Sequence, residues 1–386
     1  MKNKIEYMLP PSRHKSTTIF FMFVMGLLSL TTVFLCSGFA GLFKLNEILS
    51  YLAIVLFALY MKKGKAILKP SICTATTLIV CLFVMLVVIN YDGKHRQLVN
   101  LCSTFGIVFF VKIFSRIKWE TKNYGKLGLL WGVCAVFVGY LLMPGHIFDG
   151  WNSNSISSMF PVFVISACSF RVMEKKLKWV YIGILFILFV GITSQLENRS
   201  TLIATLLLLL LIIYPIFNKN RKLFRMLYVG IILVNLLIPI LNSMVANTDL
   251  FKDLIGTTSE MTATGKTGES AFNGREELWQ MSMLLQDKNP LFGLCGIRLF
   301  YPHNFSMDIL NIFGWIGYMT FYVLLISVLE YAYSEGSKYN IFLVGFVCVI
   351  FLNTFENMFT CCDYMQFFVY CIPAIALRVN QKLIAK

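Results

Sequence analysis

Apolar residues run along this chain in blocks too long and too uniform for a half-buried strand or a one-sided surface helix. Twelve such blocks fall near residues 18–36, 47–61, 72–90, 98–115, 127–144, 156–170, 179–195, 200–217, 226–244, 307–329, 339–355 and 364–378. Each is long enough, or nearly so, to cross a hydrocarbon core roughly 30 Å thick. The second, sixth and twelfth are short. At that depth no water satisfies the backbone, so the blocks predict helices. The expected fold is all-α, a single polytopic membrane domain over 1–386 with about twelve transmembrane helices.

One long polar segment interrupts the pattern, residues 245–304 between the ninth and tenth blocks. Its first part, 245–272, is rich in Thr, Ser, Gly and Asp and reads as loop. Asn273 then offers a helix cap, with Glu276 at the N3 position of a capping box. Leu278, Met281, Leu284 and Leu285 recur at helical spacing, with Trp279 and Met283 alongside, until Asn289-Pro290 stops the run. The expectation is an amphipathic helix of about fifteen residues on the outer membrane surface. Gly293 and Gly296 follow as a flexible turn before Tyr301-Pro302-His303-Asn304. A smaller polar turn, Trp151-Asn152-Ser153-Asn154-Ser155, precedes the sixth block and reads as solvated.

Composition supports this class: 58% of the residues are hydrophobic and only 14% charged. Charge adds the topology. With the N-terminus cytoplasmic and all blocks spanning, most of the 34 Lys and Arg fall in inward segments, and most of the 19 Asp and Glu fall in outward ones. The net charge of +15 is therefore a topology signal and not a sign of nucleic-acid binding. Both termini are expected in the cytoplasm. The first block is too long for a signal-peptide core, and Val33-Phe34-Leu35-Cys36 lacks the small residue a lipoprotein site needs. Of eleven cysteines, only Cys295, Cys361 and Cys362 lie clearly outside the blocks, and no spacing suits zinc.

The blocks themselves contain almost no charge; Asp308, Glu330 and Glu356 sit at block ends. Ion-coupled transporters usually need ionisable groups at membrane depth. The candidate chemistry lies instead at the outer boundary. Arg199 opens the eighth block in Glu197-Asn198-Arg199-Ser200, on the face that the positive-inside rule depletes of arginine. The same position suits a snorkelling side chain or a guanidinium forked onto a phosphate. Arg275 lies in the first turn of the loop helix, where a cation loses dipole energy. It either pairs with Glu276 or Glu277 or holds a second phosphate. His303, one of four histidines, is suited to proton transfer near neutral pH. Glu197, Asp308 and Glu356 are its possible carboxylate partners. Two arginines, a histidine and carboxylates on one face suit sugar transfer from a polyprenyl diphosphate, with the guanidiniums stabilising the leaving charge. Such a reaction needs no metal and no cofactor, and neither a Walker A loop nor a dinucleotide glycine pattern occurs.

Three places resemble the O-antigen polymerase and ligase superfamily of bacterial envelope glycan synthesis. They are Asn198-Arg199-Ser200-Thr201-Leu202-Ile203; Gly274-Arg275-Glu276-Glu277-Leu278-Trp279 with Asn289-Pro290-Leu291-Phe292-Gly293-Leu294-Cys295-Gly296; and Pro302-His303-Asn304. Asn198 for the usual serine and Cys295 between the glycines are departures that remove no charged group. The resemblance implies a metal-independent, inverting glycosyltransferase of the bacterial cytoplasmic membrane with an extracytoplasmic active site. It would join undecaprenyl-diphosphate-linked repeat units of an O-antigen- or capsule-type polysaccharide. Arg199 and Arg275 would bind the donor diphosphate, and His303 would contact the donor or help activate the acceptor. Asn304, Glu197 and Trp279 complete the expected substrate-binding set. A flippase and a chain-length regulator are the implied protein partners. A ligase, which moves finished glycan to a lipid A core or to protein, shares the motifs. The richness in Lys, Asn, Ile and Phe suits an AT-rich genome, and many such bacteria lack a lipid A core, which favours a polymerase. A flippase or exporter is the reading from another class, and the near charge-free blocks weigh against it.

Overall fold

The computed structural model describes residues 70–91, 97–115, 124–141, 143, 153–173, 176–214, 220–245, 275–334, 341–356, 359 and 369–377. The expected blocks at 18–36 and 47–61 lie outside these residues, as does 246–274 with the proposed cap Asn273. Within them the apolar blocks form helices: Pro70–Ile89 (α1), Gln97–Phe105 (α2), Ile107–Phe114 (α3), Tyr124–Leu141 (α4), Phe160–Val172 (α5), Lys178–Gln195 (α6), Arg199–Ile213 (α7), Arg221–Val245 (α8), Arg275–Lys288 (α9), Phe305–Ser334 (α10) and Ile341–Leu352 (α11). A 3-10 segment, Ser153–Met159, leads into α5, and 369–377 is again helical. The described residues contain no strand. The block at 98–115 is split, because a turn at Gly106 separates α2 from α3.

Among the described residues, three helices are long and apolar enough to cross a membrane: α4, α6 and Phe305–Tyr333 of α10. Their flanks are apolar and open. Val133 and Phe137 on α4, Ile184 and Ile187 on α6, and Met319 on α10 are all more than half exposed. Open aliphatic flanks on this scale suit a lipid surface, and the chain is membrane-associated. The shorter helices α5 and α11 lie at the centre, with every residue from Phe160 to Phe170 and from Ile341 to Ile350 buried. Helix α4 meets α5 through glycine. A Cβ at Gly128 or Gly132 would come within 2.8 Å of Phe170 or Ser166. Ser166 Oγ donates to Gly128 O at 2.6 Å. Small residues are the usual way for helices in lipid to approach this closely.

Helix α10 is broken. Gly314 has φ 60° and ψ −167°, so two helical pieces meet at a kink. A break frees two N–H groups and two carbonyls that lipid cannot satisfy. The segment 290–296 supplies all four partners. Leu294 N donates to Asn311 O at 2.8 Å and Gly296 N to Ile312 O at 3.0 Å, while Trp315 N donates to Pro290 O at 2.9 Å and Ile316 N to Leu291 O at 3.2 Å. Backbone must lie against backbone for this. A Cβ at Gly293 would stand 2.5 Å from Asn311 O, and one at Gly314 would stand 2.4 Å from Leu291 O. Gly293 also has φ 60°, a region L side chains rarely adopt. The expected flexible turn is thus a fixed splice, and it positions the loop that carries His303.

Helix α9 ends at Lys288, just before Asn289-Pro290, as its stop signal predicts. It packs on α8 and α10. Its buried face is Trp279, Ser282 and Gln286, while Met281 and Leu284 stay 49% and 67% exposed. Met281 and Leu284 of the expected stripe therefore face away from the protein, while Leu278 and Leu285 are half-buried.

Candidate functional site

The reversal from α6 to α7 fixes Arg199. Helix α6 closes with Asn198 N donating to Thr193 O and Glu197 N to Ser194 O, both at 3.1 Å. That is the Schellman pattern, which wants a left-handed residue at its corner. Glu197 fills the position with φ 54°. Asn198 then caps α7 at once, its Oδ1 accepting from Thr201 N at 2.9 Å and from Ser200 Oγ at 3.1 Å. Arg199 becomes the first helical residue and is exposed, as is Glu197. Among the described residues Arg199 makes no ion pair.

His303 is held from both sides. Trp279, fully buried, donates its indole N–H to Pro302 O at 2.7 Å. Asn304, also fully buried, caps α10 by accepting from Met307 N at 3.0 Å. Its amide donates to Thr354 O at 2.8 Å and Asn235 O at 3.2 Å, tying the cap to the end of α11 and to α8. Between these anchors His303 has φ 50°. Glu197, Cys295 and His303 are the non-glycine residues with positive φ among those described. Two of the three thus belong to the candidate set, and such strain persists only where the surroundings impose it.

The imidazole of His303 is 31% exposed and its Nδ1 lies 3.7 Å from Glu356 Oε2, a contact longer than a hydrogen bond. The Glu356 side chain is only 10% exposed. Its Oε1 accepts from Ser157 Oγ at 3.1 Å. Ser157 in turn accepts from Asn198 Nδ2 at 3.3 Å and from Thr201 Oγ1 at 3.1 Å. One continuous network therefore joins the turn that places Arg199 to the pair His303–Glu356. Of the expected residues, Glu197, Arg199, His303 and Asn304 come to one end of the bundle. Arg275 begins α9, and its side chain is outside what is described. Trp279 and Asn304 present no free surface and act here by holding His303.

Sequence reasoning gave no role to Ser157 or Arg298. Ser157 lies two residues beyond the turn read as solvated, and it is 3% exposed. Arg298 grips buried Asp308 with both prongs, Nε to Oδ1 at 3.1 Å and Nη2 to Oδ2 at 2.7 Å. Its Cζ also lies 4.9 Å from the Tyr301 ring centre. This pairing commits Asp308 to Arg298. Cys295 is a free thiol, and burial pushes its pKa up. An apolar groove of about 550 Å³ runs between α4 and α6, lined by Val133, Phe137, Tyr140, Ile184, Leu188 and Gly191. One end reaches Gln195, a few residues before Arg199.

No family model matches this chain, and no curated protein matches it.

Proposed function

We propose that this protein is a membrane glycosyltransferase that lengthens a polyprenyl-diphosphate-linked oligosaccharide at the outer face of a bacterial cytoplasmic membrane. The chain would span about twelve times, with both termini inside and 245–304 outside. The observation that carries the reading is the single network from the Arg199 turn through Ser157 to Glu356 and His303.

In this reading Arg199, and Arg275 from the loop helix, bind the donor diphosphate. The acceptor is a sugar hydroxyl on a second lipid-linked unit. His303, oriented by Glu356, takes the hydroxyl proton as the new carbon–oxygen bond forms at the anomeric carbon. The bond from that carbon to the diphosphate oxygen breaks with inversion. The electron pair leaves on the polyprenyl diphosphate, where the guanidiniums stabilise it. An apolar tail fits the open helix flanks and the groove that reaches Gln195 at the end of α6. Apo contacts such as the 3.7 Å imidazole–carboxylate distance commonly tighten when substrate binds.

The test is a reconstitution with purified protein, synthetic undecaprenyl-diphosphate repeat units and EDTA. A ladder of longer lipid-linked glycans that disappears in Arg199→Ala supports a polymerase. Transfer only when a lipid A core or a protein acceptor is added makes the protein a ligase. No transfer to any acceptor from a cognate donor overturns the reading in favour of transport.

A further inference from the structure

Ser157 meets three side chains with one oxygen. A hydroxyl has one proton to donate and two lone pairs to accept with. Here the proton goes to Glu356 Oε1, and the lone pairs receive Asn198 Nδ2 and Thr201 Oγ1. The oxygen is saturated, and the direction of donation runs from Thr201 through Ser157 to the carboxylate. Ser157 and its three partners are buried: Ser157 is 3% exposed, Asn198 3%, Thr201 0% and Glu356 8%. Bulk water therefore has little access to replace a lost contact. Each partner also has a fixed place of its own. Asn198 and Thr201 form the cap of α7. Thr201 also accepts through its backbone carbonyl from Thr205 Oγ1 at 2.7 Å. Glu356 follows the turns that close α11, where Thr354 N donates to Phe351 O at 3.0 Å.

We propose that Ser157 is a positioning residue that registers the anion-binding end of α7 against the proton-handling pair His303–Glu356. The proposal rests on the function given above. The 3-10 segment Ser153–Met159 lies between α7 and α5 and touches α4, so it has the rigid backing this role requires. Without the hydroxyl, Glu356 loses a donor that fixes its orientation, and the Asn198 amide loses an acceptor beside Arg199. A misplacement of about 1 Å in such a constellation can cost about a hundredfold in rate.

The experiment is a double-mutant cycle on the polymerisation assay with Ser157→Ala and Glu356→Gln, each checked for folding by its melting temperature. Ser157→Ala is expected to lower kcat by about ten- to a hundredfold, with the donor KM changed far less. The decisive reading is the second leg. If Ser157 acts through Glu356, removing the serine from the Glu356→Gln protein lowers kcat little further, because interacting residues are not additive. Equal losses on both backgrounds, or a loss in melting temperature with kcat of the folded protein unchanged, overturn the positioning role and leave the glycosyltransferase reading standing. A wild-type protein that transfers sugar to no acceptor overturns that reading, and the positioning role falls with it.

Discussion

At one end of the bundle two arginines close on a single carboxylate. Arg225 reaches Glu330 through Nε at 2.6 Å and Nη2 at 2.5 Å, Arg221 adds Nη2 at 2.9 Å, and Tyr228 donates its hydroxyl at 2.6 Å. At the other end Glu356 takes a serine hydroxyl and faces an imidazole. The first cluster joins α8 to α10 in the open, with both arginine side chains nearly half exposed. Strong pairing of this kind ties up the carboxylate and stabilises modestly where water competes. The second is largely shielded, and its partners include a neutral hydroxyl and an imidazole. One carboxylate is forked by two guanidiniums, while the other takes a hydroxyl and faces a ring nitrogen. The two ends thus separate an anchoring carboxylate from the one that the proposed function puts to work.

The largest effects should come from the working end. His303→Ala is expected to lower polymerisation by about a hundredfold to ten-thousandfold, the usual worth of a proton-transfer group, read in single-turnover assays. Arg275→Lys should also lose most activity, since lysine keeps the charge but cannot fork onto a diphosphate. Wild-type polymer from it would sink the bidentate role. Gly314→Ala should destabilise by more than about 3 kcal/mol, because a Cβ there meets backbone at 2.4 Å in a left-handed conformation; a detergent melt checks this. Trp279→Phe keeps the ring but orphans the Pro302 carbonyl, at a cost of about 1–3 kcal/mol, and should lower kcat by loosening His303. The smallest effect belongs to the anchoring end. Arg225→Gln should lower the melting temperature slightly and leave kcat unchanged. A large kcat loss would dissolve the contrast between the two ends.

Helix positions were readable because an apolar block leaves the backbone no alternative in lipid. The predicted run at 179–195 matches Lys178–Gln195, and 226–244 falls within Arg221–Val245. Helix α9 was readable from Asn289-Pro290, a local stop signal. The break in α10 was not. Phe313-Gly314-Trp315 sits inside a uniform block, and a lone glycine there does not announce that 290–296 will replace its hydrogen bonds. Gly128 and Gly132, four apart, were a visible packing signal that composition counts passed over. At the site, Arg199 and His303 stood out because charge is rare in this chain. Ser157 could not stand out: a serine in a polar turn is common, and only three-dimensional contact reveals its partners. The buried face of α9 was illegible for a related reason. Met281 and Leu284 stay exposed, and the inner surface is chosen by fit around Trp279 and Ser282.

The splice at Gly314 also bears on how such a chain can change over generations. Its four bonds are made by backbone atoms alone, so the side chains of Leu294 and Cys295 are not what the joint depends on. Selection on the joint acts on the absence of a Cβ at 293 and 314 and on the tight approach of Gly296 to Gln97. Relatives of this chain are therefore expected to keep those glycines as a set while the letters between them drift. A protein built this way writes the joint in very few characters, and holds a precise turn beneath a histidine by backbone alone.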